Sequence, residues 1–194
     1  MDKKFKQLNT VVAACTGLLV VLFVGWWIST SNRINDERQD CDEQWSQVEN
    51  VMQRRYDLIP NLTASVKGSM KQERKVFGQI AKARSQYNSA TTRKQKMVAD
   101  SKLDRSTRTL INVIDEKYPR LESNANIQSL MLELSGSENR IAIERQNYIA
   151  AVRTYNQTVN NFPSSIVANT KGAKPMHYFK ASSQAQQAPK VDLP

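Results

Sequence analysis

The feature that most constrains the fold is an uninterrupted apolar run at residues 11–28, which reads VVAACTGLLVVLFVGWWI. Its 18 residues carry no charge, and as a helix they would be about 27 Å long, close to the hydrocarbon thickness of a bilayer. Trp26 and Trp27 end the run, where indole rings favour the headgroup level, and three lysines precede it. The pattern predicts a transmembrane helix over residues 10–28, a short cytoplasmic segment at residues 1–9, and the rest of the chain outside the cytoplasm.

Two alternatives to an uncleaved anchor stay open. A cleaved signal peptide needs small residues after the apolar run, and residues 28–31 (ISTS) offer a poor cleavage site. A lipoprotein signal would place the lipid on Cys15, which follows Val12, Ala13 and Ala14. However, the most apolar stretch follows Cys15, where a mature lipoprotein would already be polar. The uncleaved helix is the preferred interpretation.

Apolar residues beyond the anchor recur every three or four positions, which is the helical spacing and not the alternation of a strand. No Gly or Pro occurs in residues 26–59, so the anchor is expected to continue as one helix. Pro60 should kink this helix, with helical structure on both sides. The stripe comprises two rows at seven-residue intervals: Ile34, Cys41, Val48, Arg55 and Leu62, and Arg38, Trp45, Met52, Ile59 and Val66.

Further stripes predict a second helix over residues 61–88, a turn at 88–92, a third helix over 93–117, and a fourth from about 127 to 162. Tyr148, Tyr155 and Phe162 fall on the apolar face of the last helix. The predicted fold is therefore all-α: the transmembrane helix continues into an elongated antiparallel four-helix bundle over residues 30–163. Residues 164–194 lack a lasting periodicity and predict a loosely ordered tail, whose first part docks on the bundle.

The net charge of +10 is unevenly distributed. Residues 29–60 carry −3 and residues 61–120 carry +9. A solvated helix face explains such a surface, and attraction to anionic lipid headgroups is the functional alternative. Nucleic acid is not expected as a partner, because aromatic residues are not interleaved and the predicted topology places these helices outside the cytoplasm. The candidate anion-binding residues are Lys67, Lys71, Arg74, Lys75, Lys82, Arg93, Lys94, Lys96, Arg105 and Arg108.

The usual signatures of catalysis and cofactor binding are missing. His177 is the single histidine, which makes a Ser-His or Cys-His triad unexpected. The chain has no Glu-x-x-His pair for a di-iron bundle and no Gly-rich phosphate loop. No catalytic residue, metal ligand or cofactor is therefore predicted. Cys41 either forms an intermolecular disulfide or, preferably, serves as a small apolar residue of the stripe.

Several strings resemble the signature of the LemA family of bacterial membrane proteins. The first is QRRYDLIPNL at residues 53–62, with Trp45 upstream. Others are an Ala-Arg at Arg84, Tyr118-Pro119, and ENRIA at residues 138–142. The resemblance covers about residues 30–180, and Glu144 departs from it, since a small residue is commoner there. The residues that carry it are Trp45, Arg54, Arg55, Tyr56, Asp57, Pro60, Asn61, Arg84, Tyr118, Pro119, Glu138, Asn139, Arg140, Arg145, Tyr148, Tyr155, Asn156, Phe162 and Pro163.

The resemblance implies a single-pass protein of the bacterial inner membrane with a helical bundle and a largely undefined biochemical role. A magnetosome relative linked to building membrane compartments favours a membrane-organising function. The motif charges have three interpretations. They fix helix register at Pro60, with Glu138 pairing with Arg54 or Arg55; they form an exposed docking site; or Asp57, Glu73 and Glu138 act in acid–base chemistry.

Three functions follow from these observations. The first is a non-catalytic scaffold that self-associates, pairing its acidic first helix with the basic helices of a neighbouring copy, and that organises membrane. The second is an adaptor for a membrane protein such as a protease or a signalling protein. The third, more remote, is an unrecognised hydrolase. The expected partners are accordingly the lipid bilayer, further copies of the chain, and a membrane protein.

Overall fold

The structure, a computed structural model, describes the backbone of residues 2–178 and the side chains of residues 12–178. Its helices are α1 (Asp2–Lys67), α2 (Arg74–Asn88), α3 (Arg93–Lys117), α4 (Pro119–Glu122), α5 (Ala125–Asn160) and α6 (Ser164–Thr170). The described residues contain no strand. The all-α prediction, with an apolar helix continuing into a helical bundle, is confirmed.

Helix α1 is 66 residues long and contains Pro60 in its interior. An 18-residue window within it has a mean hydropathy of 2.1 and no buried residue, so its length and composition suffice to cross a membrane. Beyond this window the predicted stripe is buried as expected, from Ile34 to Val66, with the exception of the exposed Arg38. Helix on both sides of Pro60 is confirmed, whereas the kink stays a prediction.

The second predicted helix, over residues 61–88, was wrong in its first part. Residues Asn61–Lys67 belong to α1, and α2 begins only at Arg74. Gly68 is a weak helix former, and the backbone amides of Ser69 and Met70 both donate to the carbonyl of Val66 at 3.1 Å. The side chain of Met70 is fully buried. These contacts fold residues 68–73 into a turn between α1 and α2.

The other helices follow the sequence more closely. Helix α3 has the predicted bounds, and a capping box stabilises its start: the Thr92 hydroxyl accepts from the amide of Gln95, and the Gln95 side chain accepts from that of Thr92. Pro119 occupies the first turn of α4, where its missing amide is harmless. The placement of Phe162 on the buried face of the last helix was wrong, because α5 ends at Asn160 and Phe162 is 81% exposed.

The chain forms two compact units. The first comprises Met1–Gln44 and Tyr148–Tyr178, and its core contains Ile34, Cys41, Tyr148, Val152, Tyr155, Val167 and Ala168. Helix α6 lies in the segment predicted as a loosely ordered tail. Its seven residues are too few to show a repeat, but Val167 and Ala168 are fully buried. The Gln-rich end of that segment, residues 179–194, lies outside the described residues.

The second unit comprises, among the described residues, Trp45–Asn147. It holds the rest of α1, the helices α2, α3 and α4, and the first part of α5. Its apolar core draws on all the longer helices: Ile59, Leu62, Val66, Met70, Val76, Ile80, Ala83, Leu103, Leu110, Ile114, Ile127 and Leu134. Most of the residues that resemble the family signature lie in this unit.

Candidate functional site

The motif string at residues 53–62 lies entirely within α1, so its neighbouring side chains point to different sides of one helix. Arg55 faces inward and is 3% exposed. Arg54 and Asp57 are exposed, and the carboxylate of Asp57 accepts a hydrogen bond from the Gln53 amide at 2.9 Å. Tyr56 is half-buried. The residues of this string therefore contribute to both the buried and the exposed sides of α1.

Arg55 is the centre of an ion network that joins three helices. Its guanidinium donates to the carboxylate and to the backbone carbonyl of Asp100, the latter at 3.3 Å, and to Asp104 Oδ1 at 2.7 Å. Asp100 is fully buried, and its second carboxylate oxygen accepts from Arg145 of α5. Each buried charge thus has an oppositely charged partner, which is the condition under which burial of charge is tolerated.

The network continues toward the surface through Asp104. Arg108 contacts Asp104 Oδ2 at 3.2 Å and also pairs with Glu138 of α5. The expected pairing of Glu138 with Arg54 or Arg55 is therefore not what the structure shows: the partner of Glu138 is Arg108, and the partners of Arg55 are acids of α3. The helical register places Asp100 and Asp104 one turn apart on one face of α3, so both reach the same guanidinium.

Charge cancels within this set, which contains three arginines and three acids. Burial lowers the pKa of the Arg145 guanidinium, and the carboxylate of Asp100 opposes that change. Every carboxylate of the network faces at least one guanidinium. We therefore interpret it as a clamp between α1, α3 and α5.

Tyr56 links the same part of α1 to α2. Its ring stacks on that of Tyr87 with the centroids 5.2 Å apart, and the guanidinium of Arg84 lies 4.4 Å from the Tyr56 centroid. Burial raises the pKa of Tyr87 to about 12, and the negative charges of Asp100 and Glu49 add to that effect. Two residues of the resemblance, Tyr56 and Arg84, thus act together as an aromatic–cation contact between helices.

Two shallow grooves flank the motif. One, of about 270 Å³, places the guanidinium groups of Arg54 and Arg140 beside the exposed Leu132. The other, of about 300 Å³, is mostly apolar and is lined by Pro60, Phe77 and Arg84 among others. Thr63 Oγ1 and Arg84 Nε are buried there without a hydrogen-bond partner among the described residues. Both volumes lie at or below the lower end of the range for small-molecule pockets.

The remaining residues of the resemblance are spread over both units. Trp45 is buried, and Arg93 lies over its ring at 5.5 Å from the centroid. Asn61, Asn139, Pro119 and Pro163 are exposed, and Tyr118 is half-buried. In the first unit, Tyr148 and Tyr155 are buried core residues. Burial raises the pKa of Tyr155, and the nearby Arg38 opposes that effect. These residues do not converge on one site.

Asn156 fastens the chain beyond α6 to the first unit. Its amide nitrogen donates to the carbonyl of Met176 at 2.9 Å, and its amide oxygen accepts from the backbone amide of Met176 at 2.7 Å. Lys171 adds three bonds to α1, to the carbonyl and hydroxyl of Ser31 and to the side chain of Asn35. Asn156 is thus the polar anchor of the C-terminal segment.

The predicted anion-binding residues divide into two groups. Lys96 pairs with Glu49, Arg108 with Asp104 and Glu138, and Arg93 stacks on Trp45, so these three stabilise the second unit. The others are exposed on α2 and α3 or beside them: Lys67, Lys71, Arg74, Lys75, Lys82, Lys94 and Arg105. Within the described part of the chain, no group of three or more His, Cys, Asp or Glu residues is placed to hold a metal ion.

Sequence reasoning missed Asp100 and Asp104, and it placed Tyr87 on the apolar stripe of the second helix without foreseeing its contact with Tyr56. Asp100 lies three residues before Leu103 and seven before Thr107, so it occupies a position of the buried stripe of α3. A charged residue in a buried stripe indicates a buried partner of opposite charge. Asp100 in α3 and Arg55 in α1 both give this indication.

The fold and these contacts define an all-helical, membrane-associated protein in which several motif residues join helices. Residues 44–193 match the model of the LemA family, so the chain belongs to that family. It is 25% identical to the magnetosome proteins MamQ 1 and MamQ 2 of Paramagnetospirillum magneticum, over 91% of this chain and 72% of each relative. Magnetosome protein MamQ of Magnetospirillum gryphiswaldense is 33% identical over 66 residues, 34% of this chain and 24% of the relative. None of these names states a reaction.

Proposed function

We propose that this protein is a non-catalytic, membrane-anchored scaffold that self-associates and thereby organises the bacterial inner membrane. In this proposal the apolar part of α1 spans the bilayer once, the N-terminus is cytoplasmic, and both units lie outside the cytoplasm. The similarity to magnetosome proteins agrees with a role at a membrane.

One observation carries the proposal: the buried motif charges pair inside the second unit, while exposed acids cluster on one part of α1 and exposed bases cluster around the start of α2. Arg55, Asp100 and Arg145 satisfy one another across three helices. The exposed surface then presents acids on α1, namely Asp36, Asp40 and Glu43, and bases at the start of α2 and in the turn before it, namely Lys71, Arg74 and Lys75. Surfaces of opposite charge on one chain favour head-to-tail contact between copies, which builds rings or filaments.

The test uses the full-length protein in bilayers of neutral lipid, with the subunit number counted by stepwise photobleaching of labelled copies. The variant carries Lys71→Glu, Arg74→Glu and Lys75→Glu. Because Arg74 and Lys75 start α2, glutamate there interacts well with the helix dipole and should leave the helix intact. We expect assemblies for the native chain and mostly single copies for the variant.

The matched control reverses three exposed basic residues outside α2 and α3, by Arg120→Glu, Arg153→Glu and Lys174→Glu. This control changes the net charge equally, and it should assemble as the native chain does. A native chain that is monomeric, or equal loss of assembly in both variants, would contradict the proposal.

An adaptor is the second candidate function, and the groove beside Pro60 favours it. This groove combines an apolar lining with two buried polar atoms, Thr63 Oγ1 and Arg84 Nε, that lack a hydrogen-bond partner among the described residues. Apolar side chains of a bound peptide would pack against this lining, and its polar groups would reach the two atoms if Thr63 and Arg84 changed rotamer on binding. Ala81→Trp, at an exposed lining position, would fill the groove; if it removed a captured membrane protein and left self-association unchanged, the adaptor function would gain support.

A further inference from the structure

The corner between α5 and α6 exposes large apolar side chains. Phe162 is 81% exposed and Ile166 is 48% exposed. The corner is nevertheless well ordered by hydrogen bonds, because the Ser164 hydroxyl bonds to the carbonyls of Thr158 and Asn161 at 2.6 and 2.9 Å. A rigid corner that presents a phenyl ring to solvent needs an explanation, since such patches commonly mark contact sites.

Contacts within the first unit show which part of α1 lies beside this corner, and therefore how far the corner is from the apolar run. Thr158 accepts a hydrogen bond from Arg33 at 2.6 Å and donates one to Glu37 at 2.9 Å. These two residues lie five and nine positions after Ile28, the last residue of the apolar run. At 1.5 Å per residue, Thr158 is therefore about 10 Å from the end of that run.

Helix α5 runs toward the apolar run of α1. The charges that act on Tyr155 include those of Arg38 and Asp42, whereas Thr158 contacts Arg33 and Glu37, which lie closer to that run. Helix α5 ends at Asn160, about 3 Å further along this direction than Thr158 and so about 7 Å from the apolar run. Phe162 lies in the turn directly after Asn160, at the level of the headgroup region of a bilayer that this run spans, which is about 5–7 Å thick on each side.

Other residues of the first unit suit the same level. Lys171 is bonded to Ser31, three residues after Ile28, which places an ammonium group near the headgroup phosphates. Trp26 and Trp27 are half-buried at the end of the apolar run. Aromatic and basic side chains are enriched at this depth of membranes.

We infer that the α5–α6 corner is a second membrane contact, in which Phe162 and Ile166 insert into the headgroup region of the bilayer that α1 spans. The inference takes the membrane-spanning role of α1 from the proposed function and does not depend on self-association. Its consequence is that the first unit stands on the membrane surface at two points, the helix and the corner.

The test measures the depth of a dye attached at Ile166→Cys, in a Cys15→Ser background that keeps the buried Cys41. The full-length protein is reconstituted in vesicles of phosphatidylethanolamine and phosphatidylglycerol that contain a lipid with a headgroup nitroxide quencher. The matched control carries the same dye at Arg153→Cys, an exposed position of α5 about 10 Å further from the membrane than the end of that helix at Asn160. We expect several-fold stronger quenching at position 166 than at position 153.

Phe162→Ser should reduce quenching at position 166 toward the control value, and Phe162→Leu should preserve it. Because Phe162 is exposed, neither change removes a core contact. Equal quenching at positions 166 and 153, or no effect of Phe162→Ser, would overturn the inference. The triple reversal Lys71→Glu, Arg74→Glu and Lys75→Glu should leave the quenching unchanged, so a failure of the scaffold proposal can be distinguished from a failure here.

Discussion

Replacement of Arg55 by alanine tests the ion network most directly. Arg55→Ala removes three hydrogen bonds: one to Asp104 Oδ1, one to the carboxylate of Asp100 and one to the backbone carbonyl of Asp100. The fully buried carboxylate of Asp100 then keeps Arg145 as its partner. Loss of one partner from a buried ion pair costs about 3–5 kcal/mol, because the remaining charge stays desolvated. For a chain of this size the melting temperature should fall by about 6–20 °C.

The assay is thermal unfolding of the full-length protein in detergent, followed by far-ultraviolet circular dichroism. Arg54→Ala is the matched control, since Arg54 is the exposed neighbour of Arg55 in the same helix. It should change the stability by no more than about 0.5 kcal/mol. If Arg55→Ala were as mild as Arg54→Ala, the network would not hold the helices together.

A double-mutant cycle with Arg55→Met and Asp100→Asn separates the pair from its surroundings. Residues in direct contact show coupling energies of about 0.5–3 kcal/mol. A coupling near zero would mean that Asp100 is held by Arg145 and the backbone alone, and the proposed role of Arg55 as a clamp would be wrong.

Three further predictions follow from single contacts. The pKa of Tyr87 is about two pH units above that of an ordinary tyrosine, so the native state should lose stability as the pH rises from about 10 to 12. In a titration of phenolate absorbance, Tyr87→Phe should reduce the fraction of tyrosine that ionises at high pH. Thr92→Ala, which breaks the capping box of α3, should destabilise the protein by about 1 kcal/mol in thermal unfolding, and Thr91→Ala should cost less. Asn156→Ala should release the segment around Met176, with faster proteolysis there and no change at the α2–α3 turn.

The helices were predictable because burial follows the local repeat. The stripe from Ile34 to Val66 and the bounds of α3 could be predicted from sequence, since each position interacts mainly with the same face of its own helix. The turn at Gly68 could not, because the apolar spacing continues through it and only the backbone bonds to Val66 and the burial of Met70 reveal the break. Phe162 was misplaced for a related reason: its spacing fits α5, but the helix ends two residues earlier.

The partners within the candidate site were less predictable, because they depend on helix packing. The sequence indicated that Arg55, in an apolar stripe, needs a partner. It did not identify Asp100, which lies 45 residues away on another helix. A local pattern gives the face of a residue, whereas a pairing requires the relative register of two helices. The predicted pairing of Glu138 with Arg54 or Arg55 was wrong for this reason, because the register of α3 and α5 brings Arg108 to Glu138 instead.

The most direct test of the scaffold account mixes two complementary charge reversals in one membrane. One chain carries Lys71→Glu, Arg74→Glu and Lys75→Glu, and the other carries Asp36→Lys, Asp40→Lys and Glu43→Lys on α1. The account predicts that each variant alone is mostly monomeric by stepwise photobleaching, and that an equal mixture forms assemblies in which the two variants alternate. Assembly of either variant alone, or monomers in the mixture, would contradict it.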